Sequence, residues 1–223
     1  MLFSGGLDSA VLLAQVLADS RAGRRGPVAA LYVGVGFAWE HEEQQMAARL
    51  FAAPPFAGEI DPVALSFDMR DVFPASHWAV RGTPPAADTP DEDVYLDGRN
   101  VILLSKAAVY MAAAARPRPS AVTLLLGPLA GNPFPDATPD FFATIAKALS
   151  LGLAIPIDVE TPLASMRKSE VIQRGIALGV PLELTMSCMA PEGGRHCGRC
   201  SKCRERRDAF RDAGVSDPTA YLA

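Results

Sequence analysis

The sequence predicts an α/β domain with a doubly wound, Rossmann-like parallel sheet and a small cysteine-rich extension at its C-terminal end. Three observations support this class. Short apolar runs alternate with helix-patterned segments along most of the chain, as in folds that cover both faces of a parallel sheet with helices. A Ser-Gly-Gly turn connects the first apolar run to the first helix pattern. All four cysteines lie within residues 188–203.

The first half of the chain alternates between strand and helix patterns. Apolar runs at residues 1–3, 28–33 and 63–67 are predicted strands, and residues 8–17 and 40–51 are predicted helices. A central parallel strand usually needs about five residues. The first strand is therefore either abbreviated or begins upstream of residue 1. The order strand, helix, strand, helix predicts parallel pairing.

The second half continues the alternation after a proline-rich interruption. Residues 81–97 are rich in proline, acidic and small residues, which predicts a mobile loop that is either disordered or a lid over a functional site. The elements predicted after this loop are helices at residues 100–115, 139–151, 168–178 and 202–212 and strands at residues 121–126 and 154–159. We expect one α/β domain over residues 1–180, with the extension, residues 181–223, packed on it.

Composition and charge narrow the class of protein. The 223 residues are enough to bury a core without disulfides, and the formal net charge of -4 gives no broad attraction to nucleic acid. A small-molecule substrate is therefore favoured.

The apolar run at residues 107–115 is too short to span a bilayer, and no signal-type segment opens the sequence. We expect no membrane association and, with clustered cysteines that fit a reducing compartment, a cytoplasmic location.

The cysteines have the spacing of a metal site. Cys188, Cys197, Cys200 and Cys203 follow the pattern C-x8-C-x2-C-x2-C, and four thiolates complete the tetrahedral shell of a structural Zn2+ ion. Such a site leaves no open position for water or substrate. Zinc would therefore brace the extension, and the catalytic chemistry is expected elsewhere. His196, next to Cys197, is an alternative ligand.

Residues 4–9 have the composition of a phosphate-binding turn. Glycines let backbone N–H groups approach an anion, and the helix that follows directs its positive end to the same point. The lysine of the usual nucleoside triphosphate loop is missing from this turn. Asp8 stands beside these amides, where a carboxylate would hold Mg2+ against phosphate oxygens. The alternative is that Gly5 and Gly6 only form a tight strand-to-helix turn.

The S-G-G-L-D-S motif of this turn resembles the pyrophosphate loop of the N-type ATP pyrophosphatases, which share the adenine nucleotide alpha hydrolase-like (HUP) fold. Within that superfamily, further features resemble the 7-cyano-7-deazaguanine synthase family. They are the cysteine spacing, the G-R-N motif at residues 98–100, the E-T-P-L motif at residues 160–163 and the K-S-E-V motif at residues 168–171. The P-L-E-L-T segment at residues 181–185 strengthens the match. The resemblance covers nearly the whole chain in order.

The resemblance implies an ATP-dependent ligase that forms carbon–nitrogen bonds. Members of the family convert 7-carboxy-7-deazaguanine to the nitrile with ATP and ammonia through an acyl adenylate, on the pathway to queuosine and archaeosine. The carried-over ATP-binding residues are Ser4, Gly5, Gly6, Asp8 and Ser9. Mg2+ would accompany the nucleotide, and the four cysteines would hold Zn2+.

The resemblance also implies catalytic residues and partners. Asp8 would hold the magnesium ion, Arg99 would lie at the active site, and Lys168 would neutralise phosphate charge. From residue type alone, Arg99 and Lys168 are equally compatible with exposed surface positions. The expected partners are the deazaguanine acid and ammonia, and a homodimer is one candidate assembly.

The match fails where family members build the deazaguanine site. Their stretch resembles D-Y-S-G-Y-P-D-C-R, whereas residues 131–138 read G-N-P-F-P-D-A-T. Phe134 and Asp136 still match, and with Asn100 they are the candidate substrate-binding residues. The family's Y-G-Q-R/K-H motif is likewise altered at residues 37–41. A site that loses hydrogen-bonding groups to a planar base discriminates differently, so these changes concern the substrate and not the adenylation.

Three hypotheses follow for the function. The first is the nitrile-forming synthase. The second is a diverged relative that passes the activated acid to another amine and stops at the amide, with a protein or nucleic acid as acceptor in a modification or antiphage defence system. The third is a non-enzymatic zinc protein that binds nucleic acid through its basic tail. That tail contains Lys202, Arg204, Arg206, Arg207 and Arg211. A thiolating enzyme of the same superfamily would need catalytic cysteines that the zinc site already uses.

Overall fold

The computed structural model describes residues 1–114 and 118–223. The helices are α1 (Leu7–Arg21), α2 (Glu40–Phe51), α3 (Trp78–Arg81), α4 (Arg99–Ala114), α5 (Pro139–Leu153), α6 (Lys168–Ala177) and α7 (Ser201–Asp212). The strands are β1 (Leu31–Gly34), β2 (Val63–Ser66), β3 (Val122–Leu125) and β4 (Ile157–Glu160). The last residue of the helix predicted at 100–115 lies outside the described residues.

Residues 1–3 join two pairs of parallel strands into one sheet. β1 pairs with β2, and β3 pairs with β4, both in parallel. The Phe3 amide donates to the Leu31 carbonyl at 2.9 Å, and the Leu31 amide donates to the Met1 carbonyl at 2.8 Å. On the other side the Leu2 amide donates to the Leu125 carbonyl at 2.9 Å. The resulting order, β2, β1, residues 1–3, β3, β4, is the doubly wound order, so the predicted fold class is confirmed.

The strands are shorter than the apolar runs predicted. β1 and β4 each begin three residues later than expected. In the observed registers, Pro62 lies opposite Ala30 and Pro156 opposite Ala121. Proline has no N–H to donate to the neighbouring strand, so each ladder begins one residue after its proline. The segment at residues 1–3 contributes a single bridge, from Leu2 to β1.

Helix α1 is longer than its prediction and almost completely enclosed. It runs four residues past the expected end and stops before Gly23, whose φ of 68° suits only glycine. Its buried residues occupy every side of the helix, because α1 lies between the sheet and helix α6. One core cluster surrounds α1 and α6, and a second covers the opposite face of the sheet beneath α4 and α5. Both faces of the sheet are thus covered, as the doubly wound class requires.

The proline-rich segment at residues 81–97 packs against the cysteine-rich extension. Ala86 forms an antiparallel bridge with Cys200, and residues 91–94 form a short 3-10 turn. Val94 and Leu96 are buried in a third core cluster that contains all four cysteines. The mobility predicted for this segment, and the division of the chain at residue 180, stay predictions. In the described part of the chain, no helix has the length and apolar character needed to cross a membrane.

The contact between α1 and α6 depends on a glycine. A Cβ atom on Gly175 would lie 2.7 Å from Val11 Cγ2 and 3.0 Å from Leu182 Cδ2. We expect Gly175→Ala to destabilise the protein by about 1–3 kcal/mol through overpacking. Gly152→Ala, in helix α5 where a Cβ meets nothing within 4 Å, should instead stabilise it by about 0.5 kcal/mol. Urea unfolding of both variants measures the difference, and equal effects would contradict this packing.

Candidate active site and metal centre

A cavity of about 470 Å³ opens at the C-terminal ends of the strands. Phe3, Val33 and Leu126, at or near the ends of three neighbouring strands, contribute to its wall. This is the point where the strand order reverses on either side of residues 1–3, and open α/β sheets bind ligands at such a switch point. The predicted site residues that line the cavity are Ser4, Gly6, Asp8, Ser9, Arg99, Asn100, Phe134, Asp136 and Lys168.

The predicted phosphate loop is held by its own hydroxyl groups. Ser9 Oγ donates to the Gly6 carbonyl at 2.9 Å and accepts from the Ser4 amide at 3.2 Å. Gly5 has φ of 74°, a left-handed conformation that glycine adopts at little cost. Gly6 is the N-cap of α1 and supplies no side-chain cap. The first amides of α1 therefore lie beside the cavity with the positive end of the helix dipole, which suits an anion.

Asp8 presents one paired and one unpaired carboxylate oxygen. Its Oδ2 accepts from Lys168 Nζ at 2.6 Å. Its Oδ1 is buried and has no hydrogen-bond partner among the described residues. A buried carboxylate oxygen without a partner is costly unless a ligand satisfies it. Because Mg2+ prefers carboxylate, water and phosphate oxygens, this oxygen beside a phosphate loop fits a magnesium ligand.

A chain of alternating charges leads from Asp8 into the cysteine-rich extension. Lys168 also lies 3.3 Å from one oxygen of Glu205, whose other oxygen lies 2.8 Å from Lys202 Nζ. Lys202 then reaches Asp91 at 3.2 Å. Burial opposes the charge of Glu205, but the two lysines lower its pKa to about 2. Burial would likewise lower the pKa of Lys168, but Asp8 and Glu205 raise it above the usual value.

This chain of contacts gives Lys168 a buried setting. Its side chain is only 18% exposed, which does not agree with the alternative that Lys168 is an exposed surface residue. Lys202 and Glu205, which the sequence analysis did not assign to the site, line the same cavity. The extension therefore contributes charged groups to the cavity as well as metal-binding cysteines.

The three candidate substrate-binding residues lie together at one wall. The backbone amide of Asn100 donates to Asp136 Oδ2 at 3.1 Å, and the side-chain Nδ2 of Asn100 donates to the backbone carbonyl of Asp136 at 3.0 Å. Burial raises the pKa of Asp136, while the bonds from Asn100 oppose that rise. The Phe134 ring packs on Tyr95 at 5.2 Å between centroids. Asp136 thus ties the start of α4 to the segment that differs from the family pattern.

Arg99, the first residue of α4, faces the cavity from the same end of the helix. Its Nε is buried and has no hydrogen-bond partner among the described residues. A guanidinium N–H in that state fits an anionic or carbonyl ligand. The alternative of a surface arginine does not agree with this burial.

A buried carboxyl group that the sequence analysis did not single out also lines the cavity. Tyr32 donates its hydroxyl to Glu43 Oε2 at 2.7 Å. Burial raises the pKa of Glu43 to about 7, against the opposing effects of Arg99 and the Tyr32 bond. Glu43 lies in the first turn of α2, just after β1. That position after a parallel strand was the available signal, because ligand sites collect at the carboxyl ends of such strands.

Two tryptophans form another part of the cavity wall. The rings of Trp39 and Trp78 stack with centroids 5.6 Å apart and an interplanar angle of 14°. Both side chains line the cavity. Trp39 belongs to the segment where the family's Y-G-Q-R/K-H motif is altered. An aromatic wall therefore stands where that polar motif is expected.

The four cysteines are positioned to bind a metal ion. All are buried, and their sulfur atoms lie within 4.8 Å of one another. The Sγ distances are 4.0 Å for Cys188–Cys200, 3.9 Å for Cys197–Cys203 and 3.5 Å for Cys200–Cys203. A tetrahedral ion with metal–sulfur bonds of about 2.3 Å separates its ligands by roughly 3.8 Å. The observed set fits that geometry.

Backbone groups support this metal centre from outside. The amides of Ala190 and Cys197 donate to Cys188 Sγ at 3.3 and 3.2 Å, as expected around thiolate ligands. His196 does not belong to the cluster, because its Nε2 accepts from the Ser187 amide at 3.1 Å. Burial lowers the pKa of His196 to about 4, which agrees with a neutral ring. The alternative that His196 replaces a cysteine ligand is not supported.

One arginine of the basic tail is engaged inside the protein. Arg206 is 1% exposed and donates to Thr185 Oγ1 at 2.9 Å, to the Leu182 carbonyl at 2.7 Å and to Thr219 Oγ1 at 2.6 Å. Arg207 lies over the Tyr221 ring at 4.0 Å. Arg204, Arg207 and Arg211 stay exposed, so the structure removes Arg206 from the basic surface that the third hypothesis requires.

Comparison with known proteins shows what the chain resembles. A family model described as queuosine biosynthesis protein QueC matches residues 1–214. Proteins named 7-cyano-7-deazaguanine synthase are 33% identical in Methanoculleus marisnigri and 32% identical in Ralstonia pickettii. One from Geobacter sp. strain M21 is 30% identical. These alignments cover 99% or 100% of this chain and 96% or 97% of each relative, which confirms the resemblance drawn from the motifs.

Removal of the metal should loosen the cavity as well as the extension. Stripping it with a strong chelator is expected to increase amide exchange at least about tenfold in residues 188–203 and 86–94, because Ala86 is bridged to Cys200 and Val94 packs with the cysteines. Hydrogen–deuterium exchange followed by mass spectrometry measures this change. Helix α5, on the opposite face of the sheet, serves as the internal control. Equal acceleration in α5 would contradict a local role for the metal.

Proposed function

The chain belongs to the QueC family of queuosine biosynthesis proteins, and from that membership we propose that it is an ATP-dependent ligase that converts 7-carboxy-7-deazaguanine to 7-cyano-7-deazaguanine with ammonia. The observation that carries this proposal is the cavity at the switch point of the sheet. There the phosphate loop, the unpaired Asp8 oxygen, Lys168 and the unpaired Arg99 Nε line the same cavity. Such a site has cations and amides for a triphosphate and a separate group for an acid.

Ser4, Gly5, Gly6 and Ser9 would hold the ATP phosphates. Asp8 would hold Mg2+ with its free oxygen, and the ion would supply charge neutralisation on the phosphates. Lys168 is already placed 2.6 Å from Asp8, so its ammonium group would lie close to the same phosphates. As pyrophosphate departs, negative charge accumulates there, and these groups would stabilise it without reorganisation.

The chemistry proceeds through activation of the carboxylate. A carboxylate oxygen attacks the α-phosphorus of ATP, and the bond from that phosphorus to pyrophosphate breaks. Ammonia then forms a bond to the acyl carbon, and AMP leaves with the former carboxylate oxygen. Activation of the resulting amide oxygen by a second ATP, followed by loss of AMP and protons, gives the nitrile. Arg99 would orient the acid, since its buried Nε has a free N–H.

We assign Zn2+ to the four cysteines. Thiolate ligands in a closed tetrahedral set are typical of structural zinc, which has no coordination position for substrate. Zinc would therefore hold the extension against the cavity. The support comes from the spacing of the sulfur atoms and from Lys202 and Glu205, which α7 carries to the cavity wall.

A specific observation favours the second candidate function, a ligase that stops at an amide. Residues 137 and 138 are alanine and threonine, where the family has the cysteine and arginine of its substrate segment. Trp39, which stacks on Trp78, also stands in the segment where the family has a polar motif. A diverged enzyme of this kind would activate the same or a similar acid and transfer it to another amine, on a protein or a nucleic acid.

The products decide between these candidates. The purified protein is incubated with ATP, Mg2+, 7-carboxy-7-deazaguanine and ammonium, and pyrophosphate and product mass are followed together. The synthase is expected to release two pyrophosphates for each nitrile formed. One pyrophosphate for each amide, without nitrile, would support the second candidate. Absence of pyrophosphate release would contradict both candidate functions for this acid.

Asp8 provides a direct test of the magnesium assignment. Asp8→Asn is expected to lower pyrophosphate release by at least about 100-fold, because the amide replaces the carboxylate ligand of the metal. Zinc content should stay unchanged, since Asp8 does not touch the cysteines. Asp61→Asn, at an exposed position away from the cavity lining, is the matched control. Normal turnover of Asp8→Asn would show that Asp8 is not a ligand of the magnesium ion.

A further inference from the structure

The proposed reaction requires a proton acceptor, and Asp8, Lys168 and Arg99 do not suit that role. When ammonia adds to the acyl carbon, its nitrogen becomes positively charged and must lose a proton before the amide is stable. Asp8 is committed to Lys168 and the metal. Lys168 and Arg99 are cations and donate protons in hydrogen bonds. The base must therefore be another group in the cavity wall.

Glu43 is a carboxyl group in the wall of the same cavity. Its side chain is 7% exposed and is oriented by the Tyr32 hydroxyl, 2.7 Å from Oε2. It lies directly behind the phosphate loop, because a Cβ on Gly5 would come within 3.0 Å of Glu43 Cγ. Arg99, the group proposed to orient the acid, acts electrostatically on the same carboxyl. Glu43 thus adjoins the phosphate loop and interacts electrostatically with Arg99.

We propose that the Glu43 carboxylate is the base that takes the proton from the attacking amine nitrogen, an inference that rests on the proposed function. In this step the bond from nitrogen to the acyl carbon forms, and the bond from that carbon to the AMP oxygen breaks. The electron pair of the broken bond leaves with AMP. The proton passes from nitrogen to a carboxylate oxygen of Glu43 and then to solvent.

The charges around Glu43 suit this role. Tyr32 on β1 donates to it, Arg99 on α4 attracts its negative form, and Glu40 on α2 repels that form. Glu40 is held in place by the amides of Val35 and Gly36, at 2.7 and 2.9 Å. Burial raises the pKa of Glu43 to about 7. A general base works best when its pKa lies near the working pH, so both the charged and the protonated form are accessible at neutral pH.

The competing explanation is that Glu43 only supports the phosphate loop. Its contact with Gly5 would then matter for ATP binding and for the adenylation step. If Glu43 is a general base, it accelerates the aminolysis step instead. The two partial reactions can be measured separately in the intact protein, as exchange of labelled pyrophosphate into ATP driven by the acid and as amide formation from ammonium.

The first variant is Glu43→Gln, whose amide oxygen still accepts the Tyr32 hydrogen bond but cannot take a proton. We expect amide formation to fall about 100-fold more than pyrophosphate exchange, the usual size of a general-base contribution. Glu59→Gln, which changes an exposed glutamate paired with Arg21, is the matched control and should leave both rates unchanged. An equal fall in the two reactions, or unchanged amide formation, would overturn the proposal. Absence of acid-dependent exchange in the unaltered protein would overturn the proposed function, and this inference with it.

The second variant, Tyr32→Phe, tests the base through its pKa. The bond from Tyr32 favours the charged form of Glu43 and lowers its pKa, so its removal should raise that pKa. The acidic limb of the pH profile for amide formation is expected to move to higher pH, whereas a change in packing alone would lower the rate at every pH. Hydroxylamine should rescue Glu43→Gln more than ammonium does, because its nitrogen is a weaker base and loses its proton more readily after attack. An unshifted profile together with no rescue would contradict the assignment.

Discussion

The hydrogen bonds of residues 1–3 are the constraint on which the rest of the structure depends. This segment is the only described backbone that joins β1 to β3, through Leu2 and Phe3 on one side and Leu2 on the other. The chain leaves it directly into the phosphate loop. The Met186 amide then donates to the Gly5 carbonyl at 2.8 Å, so the extension holds the loop from the other side. The loop therefore lies where the strand order reverses, and the enclosed helix α1 keeps it there.

Charge complementarity couples this loop to the metal centre. Lys168 and Lys202 are each shared between two carboxylates, and Glu205 stands between them. Partly buried charges persist only when they are paired, so the position of α7 and the position of Asp8 are linked. α7 in turn begins inside the cysteine cluster. The cysteine cluster is thus connected to the cavity through defined ion pairs.

Local pattern and resemblance predicted much of this arrangement. The bounds of α2 agree with the predicted residues 40–51, and the fold class, the family and the grouping of the cysteines are confirmed. The limits of β1 and β4 were wrong. The start of β1 follows from Pro62, just before the neighbouring strand β2, which the apolar run of β1 does not reveal, and the start of β4 follows Pro156 within its own run. The pairing of Asp8 with Lys168 spans 160 positions in sequence, and no periodicity reports such a contact. Glu43 was missed for the same reason, since its burial depends on Tyr32 and α4.

In the proposed reaction the cavity activates a carboxylate by transfer of AMP to one of its oxygens. The most direct test uses 7-carboxy-7-deazaguanine labelled with oxygen-18 in its carboxylate, with ATP, Mg2+ and ammonium, and measures the label in the nucleotide product by mass spectrometry. We expect AMP that carries one labelled oxygen from the acid. Unlabelled AMP, or labelled inorganic phosphate together with ADP, would contradict it.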